Sequence, residues 1–160
     1  MFGLYNIIDD ANSIYKNKET NGVLWLGNIN SSLDIPFLKS NKIKLVVNCC
    51  KDTYTNNLIN KYKKENIKSI HLPIYDYNDD INNHVLSENI NKIIEKIHEY
   101  ISLGSNVLVH CHAGIQRSAT VVACYYMTYI CTRCNIINTI RYIKRHRPIS
   151  FNDYQLSTNS

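Results

Sequence analysis

The residues best suited to chemistry lie between positions 110 and 118, where the sequence reads His-Cys-His-Ala-Gly-Ile-Gln-Arg-Ser. The short apolar run Val107-Leu108-Val109 precedes them, and a long apolar stretch follows them. This pattern predicts a strand, a tight loop and the first turn of a buried helix. Backbone N–H groups in such a loop converge on its centre, and the helix N-terminus adds positive potential there. We therefore expect the loop to bind an oxyanion.

Two side chains frame this loop, Cys111 at its start and Arg117 at its end. The positive potential favours the thiolate of Cys111 over the thiol, which predicts an exposed nucleophile. Arg117 offers a planar guanidinium that bonds two phosphate oxygens at once. Gly114 lies where a tight loop needs a positive φ. A structural, buried Cys111 with a surface Arg117 is the alternative, and it leaves the Gly and Arg-Ser arrangement unexplained.

The pattern His110-Cys111-x5-Arg117-Ser118 resembles the signature loop of the cysteine-dependent protein tyrosine phosphatases. The Ala113-Gly114 pair and the shortness of the chain resemble the dual-specificity branch of that superfamily. Three further stretches agree, namely Leu24-Trp25-Leu26-Gly27-Asn28, Leu72-Pro73-Ile74-Tyr75-Asp76, and Arg147-Pro148 followed by Asn152, Gln155 and Leu156. The resemblance covers about residues 22 to 156.

The resemblance implies phosphomonoester hydrolysis in two steps, with Cys111 as nucleophile and with no cofactor. The residues expected to bind the substrate phosphate are His112, Ala113, Gly114, Ile115, Gln116 and Arg117. Ser118 would donate a hydrogen bond to the thiolate and ease its departure, or else serve as a helix N-cap. His110 is expected to orient the loop through a hydrogen bond.

The reaction also needs an acid, because an alkoxide or phenoxide is a poor leaving group. Asp76, Asp79 and Asp80 all follow the third predicted strand. Asp76 stands three residues after Pro73, at the position that matches the acid of the family. Asp76 is therefore the expected general acid, and solvated loop carboxylates are the alternative for all three.

Two cysteine pairs require separate interpretation. Cys49 and Cys50 close a predicted strand whose end in this fold points toward the phosphate loop, so either is a candidate redox partner of Cys111; core cysteines are the alternative. Cys131-x-x-Cys134 offers two ligands where zinc needs about four, so a metal or redox role is the alternative and incidental thiols at a helix end are expected. The six cysteines, without a visible secretory signal, predict free thiols and a reducing compartment.

Hydrophobic periodicity predicts one domain preceded by a separate element. Six apolar residues at helical spacing predict an amphipathic helix over residues 3–17, so that residues 1–21 form this helix and a linker and residues 22–160 a catalytic domain. The helix either packs back or drives homodimerisation. Strands near 23–26, 44–49, 69–72 and 107–110 alternate with helices, which predicts an α/β domain with a central, mostly parallel sheet flanked by helices. Ser32 and Asn135 are the predicted helix caps.

Charge and hydropathy argue against a nucleic acid or a membrane as the partner of this chain. The net charge of +5 is modest and the basic residues are interleaved with acids, which does not favour a nucleic acid partner. The longest apolar run, residues 119–131, is shorter than the ~20 residues that a membrane span needs. A cytoplasmic location is expected. If the composition rich in Asn, Ile, Lys and Tyr reflects a viral genome, the expected location is the host-cell cytoplasm or the virion. The basic cluster Arg141, Lys144, Arg145, His146 and Arg147 is either a solvated helix end or a patch for an acidic partner.

The expected function is a protein phosphatase that hydrolyses phosphotyrosine and phosphoserine/threonine through a cysteinyl-phosphate intermediate. An RNA 5′-phosphatase or a phosphoinositide phosphatase using the same loop is an alternative. The absence of a lysine between Cys111 and Arg117 argues against the phosphoinositide phosphatase. Ser118-Ala119 follows Arg117 where the RNA phosphatases would need Thr-Gly, which argues against the RNA enzyme. A phosphopeptide-binding module with little activity is a further alternative, against which the presence of Cys111, Arg117 and Asp76 argues.

Overall fold

Within residues 9–74 and 79–152, which a computed structural model describes, five strands form one sheet. The strands are β1 (Ala11–Lys16), β2 (Val23–Gly27), β3 (Ile43–Asn48), β4 (Lys68–His71) and β5 (Asn106–His110). Their order across the sheet is β1-β2-β5-β3-β4, so β5 is the middle strand. β1 runs antiparallel to β2, and the other neighbours are parallel. The prediction of an α/β domain with a mostly parallel sheet is confirmed.

The central strands β3 and β5 carry apolar side chains on both faces of the sheet, as parallel strands covered on both sides require. Successive side chains of a strand point to opposite faces. Leu45, Val47 and Val107 accordingly lie in one apolar cluster, and Val46 and Leu108 lie in another. The sheet is thus the middle layer of three.

Helices form the two outer layers. They are α1 (Ile29–Leu33), α2 (Ile35–Ser40), α3 (Asn56–Lys64), α4 (Asp79–Ser102), α5 (Arg117–Tyr125), continued by a π-helical segment (Tyr126–Ile130), and α6 (Ile136–His146). α2 and α3 pack on one face of the sheet through Leu38 and Tyr62. α4, α5 and α6 pack on the other face through Ile97, Val121 and Ile143. None of the helices in the described ranges is long and apolar enough to cross a membrane.

The helix boundaries follow local signals with one exception. Asn135 caps α6, since its side chain accepts a hydrogen bond from the Asn138 N–H, as predicted. Ser32 is not a cap: it is buried within α1, and its hydroxyl donates to the Ile29 carbonyl. The caps are Asn28 for α1 and Asp34 for α2.

The N-terminal helix predicted for residues 3–17 is wrong over residues 11–16, which form β1; residues 1–8 lie outside the described ranges. Ile14, one of the six apolar positions, is 1% exposed in the core. Its carbonyl accepts a hydrogen bond of 2.6 Å from the Tyr142 hydroxyl. Apolar spacing over so short a stretch fits a helix or a strand, and pairing with the edge of β2 decides between them. The helical face that predicted a homodimer is therefore absent from residues 11–16.

Candidate active site

The predicted phosphate loop, residues 111–116, leaves the carboxyl end of the middle strand β5 and enters α5. Cys111 lies at the bottom of this loop with its side chain 2% exposed, so the expectation of an exposed thiol is wrong. Its Sγ accepts a hydrogen bond of 3.1 Å from the Ser118 hydroxyl and one of 3.2 Å from the Gly114 N–H. Both donors stabilise negative charge on the sulfur. The N-cap of α5 is Gln116, so the alternative role of Ser118 as a cap is also wrong.

Backbone N–H groups hold two carbonyl groups on the outer side of the loop. The His112 carbonyl accepts from the Ile29 N–H at 3.0 Å, and the Ile115 carbonyl accepts from the Phe151 N–H at 2.8 Å. Ile29 begins α1, which lies on the α3 side of the sheet, since the Tyr62 hydroxyl donates to the Ser32 carbonyl, whereas Phe151 follows α6 on the other side. The loop is thus braced from both sides of the sheet.

Arg147 holds two more carbonyl groups. Its Nε donates to the Gly114 carbonyl at 2.9 Å, and its Nη2 donates to the Ala113 carbonyl at 3.5 Å. Its Nη1 donates to the Asp9 carbonyl at 2.8 Å and to the Asn12 side chain at 2.7 Å. One buried guanidinium therefore ties the loop to the segment that enters β1.

The outward carbonyls determine where the loop N–H groups point. In a trans peptide the N–H and the C=O of one plane point in opposite directions. Because the carbonyls of residues 112–115 are held outside, the N–H groups of residues 113–116 face inward, as the Gly114 N–H does toward the sulfur. Inward N–H groups around a central point form an oxyanion site.

Gly114 is required at its position for two reasons. Its φ is +67°, in the left-handed region that glycine adopts without strain. A Cβ there would lie 2.6 Å from the carbonyl oxygen of Gly27 and 2.8 Å from Nη2 of Arg147. The glycine predicted for a tight loop is therefore confirmed, and the close approach of Arg147 explains it as well.

The predicted basic cluster at the end of α6 divides into two parts. Arg147 is 1% exposed, so neither the solvated end nor the partner patch describes it. Lys144 donates to the Ser150 carbonyl at 2.7 Å and secures the chain after α6. Arg141 and Arg145 are exposed.

Arg117 lies half-buried at the start of α5. Its Nη1 donates to the Ile74 carbonyl at 3.1 Å. Ile74 ends the first described range, and Asp76, the predicted acid, lies outside the described residues. Of the two alternative carboxylates, Asp79 begins α4 and Asp80 is exposed in its first turn. The structure thus brings Arg117 next to the residue two positions before Asp76.

His110 orients the loop, with a partner that the sequence did not reveal. Its Nδ1 donates to the Cys111 carbonyl at 3.2 Å, and its Nε2 accepts from the Tyr54 hydroxyl. A neutral imidazole has the one donor and one acceptor that these bonds use. Burial, and after it the charge of Arg117, lower the pKa of His110 to about 4. Tyr54 lies 56 positions away in sequence, so no local pattern marks it.

Cys49 is the cysteine placed next to Cys111. Asn48 and His110 are register partners at the ends of β3 and β5, and each cysteine follows one of them. The Cys49 N–H donates to the His110 carbonyl at 2.8 Å. Neighbouring strands lie about 4.8 Å apart, within the Cα separations of about 4.4–6.8 Å that a disulfide spans. Burial, and after it the charge of Cys111, raise the pKa of Cys49.

The prediction of free thiols is wrong for Cys131 and Cys134, which form a disulfide with their Cα atoms 5.3 Å apart. The two residues lie in the turn between the π-helical segment and α6, and that turn brings them together. Cys49, Cys111 and Cys124 carry free thiols. Across the described ranges, no group of three or more His, Cys, Asp or Glu side chains is arranged to hold a metal ion.

A cysteine loop at the end of the middle strand, held from outside by Arg147 and by two backbone N–H groups, is the site expected of a cysteine-dependent phosphatase. The family profile for the dual specificity phosphatase catalytic domain matches residues 24–158. The chain belongs to this family, and the resemblance drawn from the sequence motifs is confirmed.

Individual relatives agree with this assignment. Dual specificity protein phosphatase Mpk3 of Drosophila melanogaster is 41% identical over 108 residues, which are 66% of this chain and 24% of Mpk3. Dual specificity protein phosphatase OPG106 of Vaccinia virus (strain Western Reserve) is 31% identical over 113 residues, 68% of this chain and 57% of OPG106. The chain thus spans less than two thirds of either relative. The crystal structure of human DUSP28 has the same fold, with a TM-score of 0.68 at 17% identity over 89% of this chain and 84% of that one.

Proposed function

We propose that the chain is a cysteine-dependent phosphatase acting on phosphotyrosine and phosphoserine/threonine in proteins through a cysteinyl-phosphate intermediate. Membership of the dual specificity phosphatase family supports the reaction and the substrate class. The observation that carries the proposal is the pair of hydrogen bonds from Ser118 and Gly114 to Sγ of Cys111. They place two donors on the sulfur, beneath N–H groups that face inward, and this is where a phosphate would bind.

In the first step, the Sγ of Cys111 attacks phosphorus, so that an S–P bond forms while the P–O bond to the substrate side chain breaks. Arg117 and the inward N–H groups of residues 113–116 bind the three other phosphate oxygens and stabilise their charge. Asp76 donates a proton to the departing oxygen. The products are the dephosphorylated protein and phosphocysteine.

In the second step, water attacks phosphorus and gives its proton to the carboxylate of Asp76. The S–P bond breaks and inorganic phosphate leaves. Ser118 stabilises the returning thiolate of Cys111 through the hydrogen bond that it already makes to this sulfur. His110 and Arg147 touch no reacting atom in this scheme, and they position the loop. Neither step draws on a cofactor.

A rate comparison on four substrates tests the proposal: a phosphotyrosine peptide, a phosphothreonine peptide, 5′-triphosphate RNA and a phosphoinositide. Both peptides should be hydrolysed faster than the RNA and the lipid. Cys111→Ser should abolish turnover, and rapid acid quenching of the wild type should trap one phosphoryl group on the peptide that contains Cys111. Binding of the phosphopeptides without turnover would contradict the proposed enzyme and indicate a phosphopeptide-binding module.

Two further parts of the interpretation stay proposals. A viral origin is supported by the 31% identity to the vaccinia protein. A place in the host-cell cytoplasm is a separate proposal, which fractionation of cells expressing the chain would test. Self-association through residues 1–8 is supported by the apolar residues Leu4, Ile7 and Ile8.

A further inference from the structure

The lysines of the chain are concentrated on one part of the fold. Residues 35–74 contain eight lysines and two acidic residues, which gives a net charge of +6, although the whole chain carries only +5. All other residues together therefore carry −1. The basic segment comprises α2, β3, α3 and β4, which form one helical layer and one edge of the sheet.

Several of these lysines surround concave surface. Lys39, Lys42 and Lys44 line a groove of about 330 Å³. Lys63 and Lys68 line a second groove of about 220 Å³, which has one lining residue in common with the first. All five lysines are exposed. We call these two adjacent grooves the lysine groove.

The floor of the lysine groove is apolar and its rim is almost purely cationic. Ile43 and Ile67, at 1% and 5% exposure, form part of the floor. Among the described residues, the acidic side chain that lines the groove is Glu65, which pairs with Lys39 at 3.2 Å. The rim thus presents an excess of positive charge above an apolar surface.

The lysine groove is separate from the active site. Lys44 lies near the start of β3 and Lys68 begins β4, whereas Cys111 follows the end of the parallel strand β5. A strand of six residues such as β3 spans roughly 20 Å. The groove and the nucleophile therefore lie at opposite ends of the sheet.

We propose that the lysine groove is a docking site for an acidic segment of the phosphoprotein substrate, with one apolar side chain of that segment on the floor. The proposal rests on the phosphatase function and adds to it a second point of substrate recognition. Charge complementarity identifies an acidic occupant, because the net charge of +6 on residues 35–74 exceeds the +5 of the whole chain. Docking there would raise the local concentration of substrate and lower KM without changing the chemistry.

The composition of the groove favours a polypeptide over a nucleic acid. Residues 35–74 contain no arginine. Their aromatic side chains, Phe37, Tyr54 and Tyr62, pack in or against the apolar cluster beneath α2 and α3. Nucleic-acid sites combine arginine with exposed aromatic side chains that stack on bases. Lysine ammonium groups above an apolar floor suit carboxylates interspersed with an aliphatic side chain.

Two phosphotyrosine peptides that differ only in a distant segment test the proposal. One carries an Asp- and Glu-rich segment with a central Leu, joined to the phosphosite by a flexible spacer of about 12 residues, enough to reach around a strand of roughly 20 Å. The other has Asn and Gln in place of the acids. The wild type should show a KM about tenfold lower for the acidic peptide at about 50 mM salt, with equal kcat, and the difference should shrink as salt is added.

A charge-reversed variant with Lys42→Glu, Lys44→Glu and Lys68→Glu should lose this preference and keep the wild-type kcat/KM on the neutral peptide. A matched control reverses three exposed lysines outside the segment, Lys16, Lys18 and Lys92, with the same change in net charge. The control should retain the preference. Equal loss in both variants would overturn the proposal in favour of the overall charge of the molecule.

Docking and catalysis are read separately by fluorescence anisotropy of the labelled acidic segment alone, without the phosphosite. Binding of this segment to the wild type, and its loss in the charge-reversed variant, would support docking. If no peptide were hydrolysed in the same experiments, the proposed phosphatase function would fail and the docking site would remain supported. If an active enzyme shows no preference for the acidic peptide, the docking proposal is overturned. Binding of a labelled single-stranded RNA, lost in the same variant while the acidic segment fails to bind, would overturn the proposal in favour of nucleic acid.

Discussion

The residues in and around the phosphate loop fall into two groups according to the atoms that they contact. Ser118 and Gly114 bond directly to the sulfur of Cys111, whereas His110 and Arg147 bond to backbone atoms around it. Asp76, the proposed acid, lies outside the described residues. Mutation of single residues separates these roles.

Asp76→Asn should lower the rate on phosphotyrosine and phosphothreonine peptides by roughly 10²–10⁴, the range for a positioned acid. The loss should shrink on an aryl phosphate whose leaving group is already acidic, because that phenoxide needs little protonation. The pH profile of the wild type should be bell-shaped, since the first step needs the thiolate of Cys111 and the protonated form of Asp76. Steady-state rates over both substrate types give the comparison.

The matched controls are Asp79→Asn and Asp80→Asn, the other two carboxylates of the same stretch, which should behave nearly as wild type. A loss that depends on the leaving group in one of these variants, with none in Asp76→Asn, would move the acid to that residue.

His110 should make the fold less stable at acidic pH. The pKa of His110 is lowered from 6.5 to about 4, so the unfolded chain takes up a proton at higher pH than the folded chain does. The free energy of unfolding should therefore rise with pH across that window and be lost as the pH falls through it, by up to about 3 kcal/mol. Urea unfolding of wild type and His110→Gln at a series of pH values measures this contribution.

The His110→Gln protein should show a flatter pH dependence of stability between these two pKa values. His112→Gln, which removes an exposed histidine two positions away, should keep the wild-type slope. Equal slopes in wild type and His110→Gln would mean that His110 titrates normally in the folded protein.

At the scale of elements, the loop depends on α6 and on the ends of two strands. α6 ends one residue before Arg147, which reaches the carbonyls of the loop and the segment before β1. The ends of β3 and β5 bring Cys49 beside Cys111. Neither contact is local in sequence, so both depend on the packing of whole elements.

Arg147→Lys should lower kcat/KM by up to about 10²-fold, because an ammonium cannot replace the guanidinium that bonds to Gly114, Asp9 and Asn12 together. The Tm should fall as well. Arg145→Lys, two positions earlier and exposed, is the matched control and should leave both quantities unchanged. A lowered Tm with unchanged kcat/KM measured well below it would limit Arg147 to a role in stability.

Peroxide should inactivate the enzyme reversibly. Oxidation converts the thiolate of Cys111 to a sulfenic acid, which condenses with the thiol of Cys49 to give a disulfide and water. A dithiol reductant should then restore activity in the wild type and in Cys50→Ser, but not in Cys49→Ser, where further oxidation to the sulfinic acid proceeds. Peptide mapping by mass spectrometry identifies the bridge and distinguishes it from the Cys131–Cys134 disulfide.

A Cys111 sulfinic acid in the wild type, with no bridge to Cys49 or Cys50, would remove the protective role and leave the nucleophile assignment unchanged.

At the scale of the whole molecule, the two ends of the sheet present different chemistry. One end holds the phosphate loop, and the other holds the lysine groove. β1 adds an antiparallel strand to the edge of the sheet at β2 and thereby draws Ile14 into the core. The N-terminal residues before position 9 are then the part of the predicted amphipathic segment left to bind a second copy.

If residues 1–8 drive self-association, the full chain should sediment as a dimer at roughly tens of micromolar and a chain lacking these residues as a monomer, since a dimer depends on concentration. The shortened chain should keep its Tm, because Ile14 and β1 remain. Two monomers would end the homodimer hypothesis.

The sequence by itself determined the family, the position of the phosphate loop and the layered fold. The phosphate loop was recognisable because all of its parts lie within nine consecutive positions, between a strand and a helix whose apolar patterns are local. The same holds for the Asn135 cap, which depends on a residue three positions away.

Only the tertiary structure decided what depends on distant contacts. Residues 11–16 became a strand because the edge of β2 was available to pair with them. Arg147 became a buried brace of the loop because α6 ends beside Gly114, and Tyr54 became a partner of His110 across 56 positions. Cys111 is 2% exposed, although its position at the start of a loop had predicted an exposed thiol. Such contacts arise when whole elements pack, and local residue patterns do not encode them.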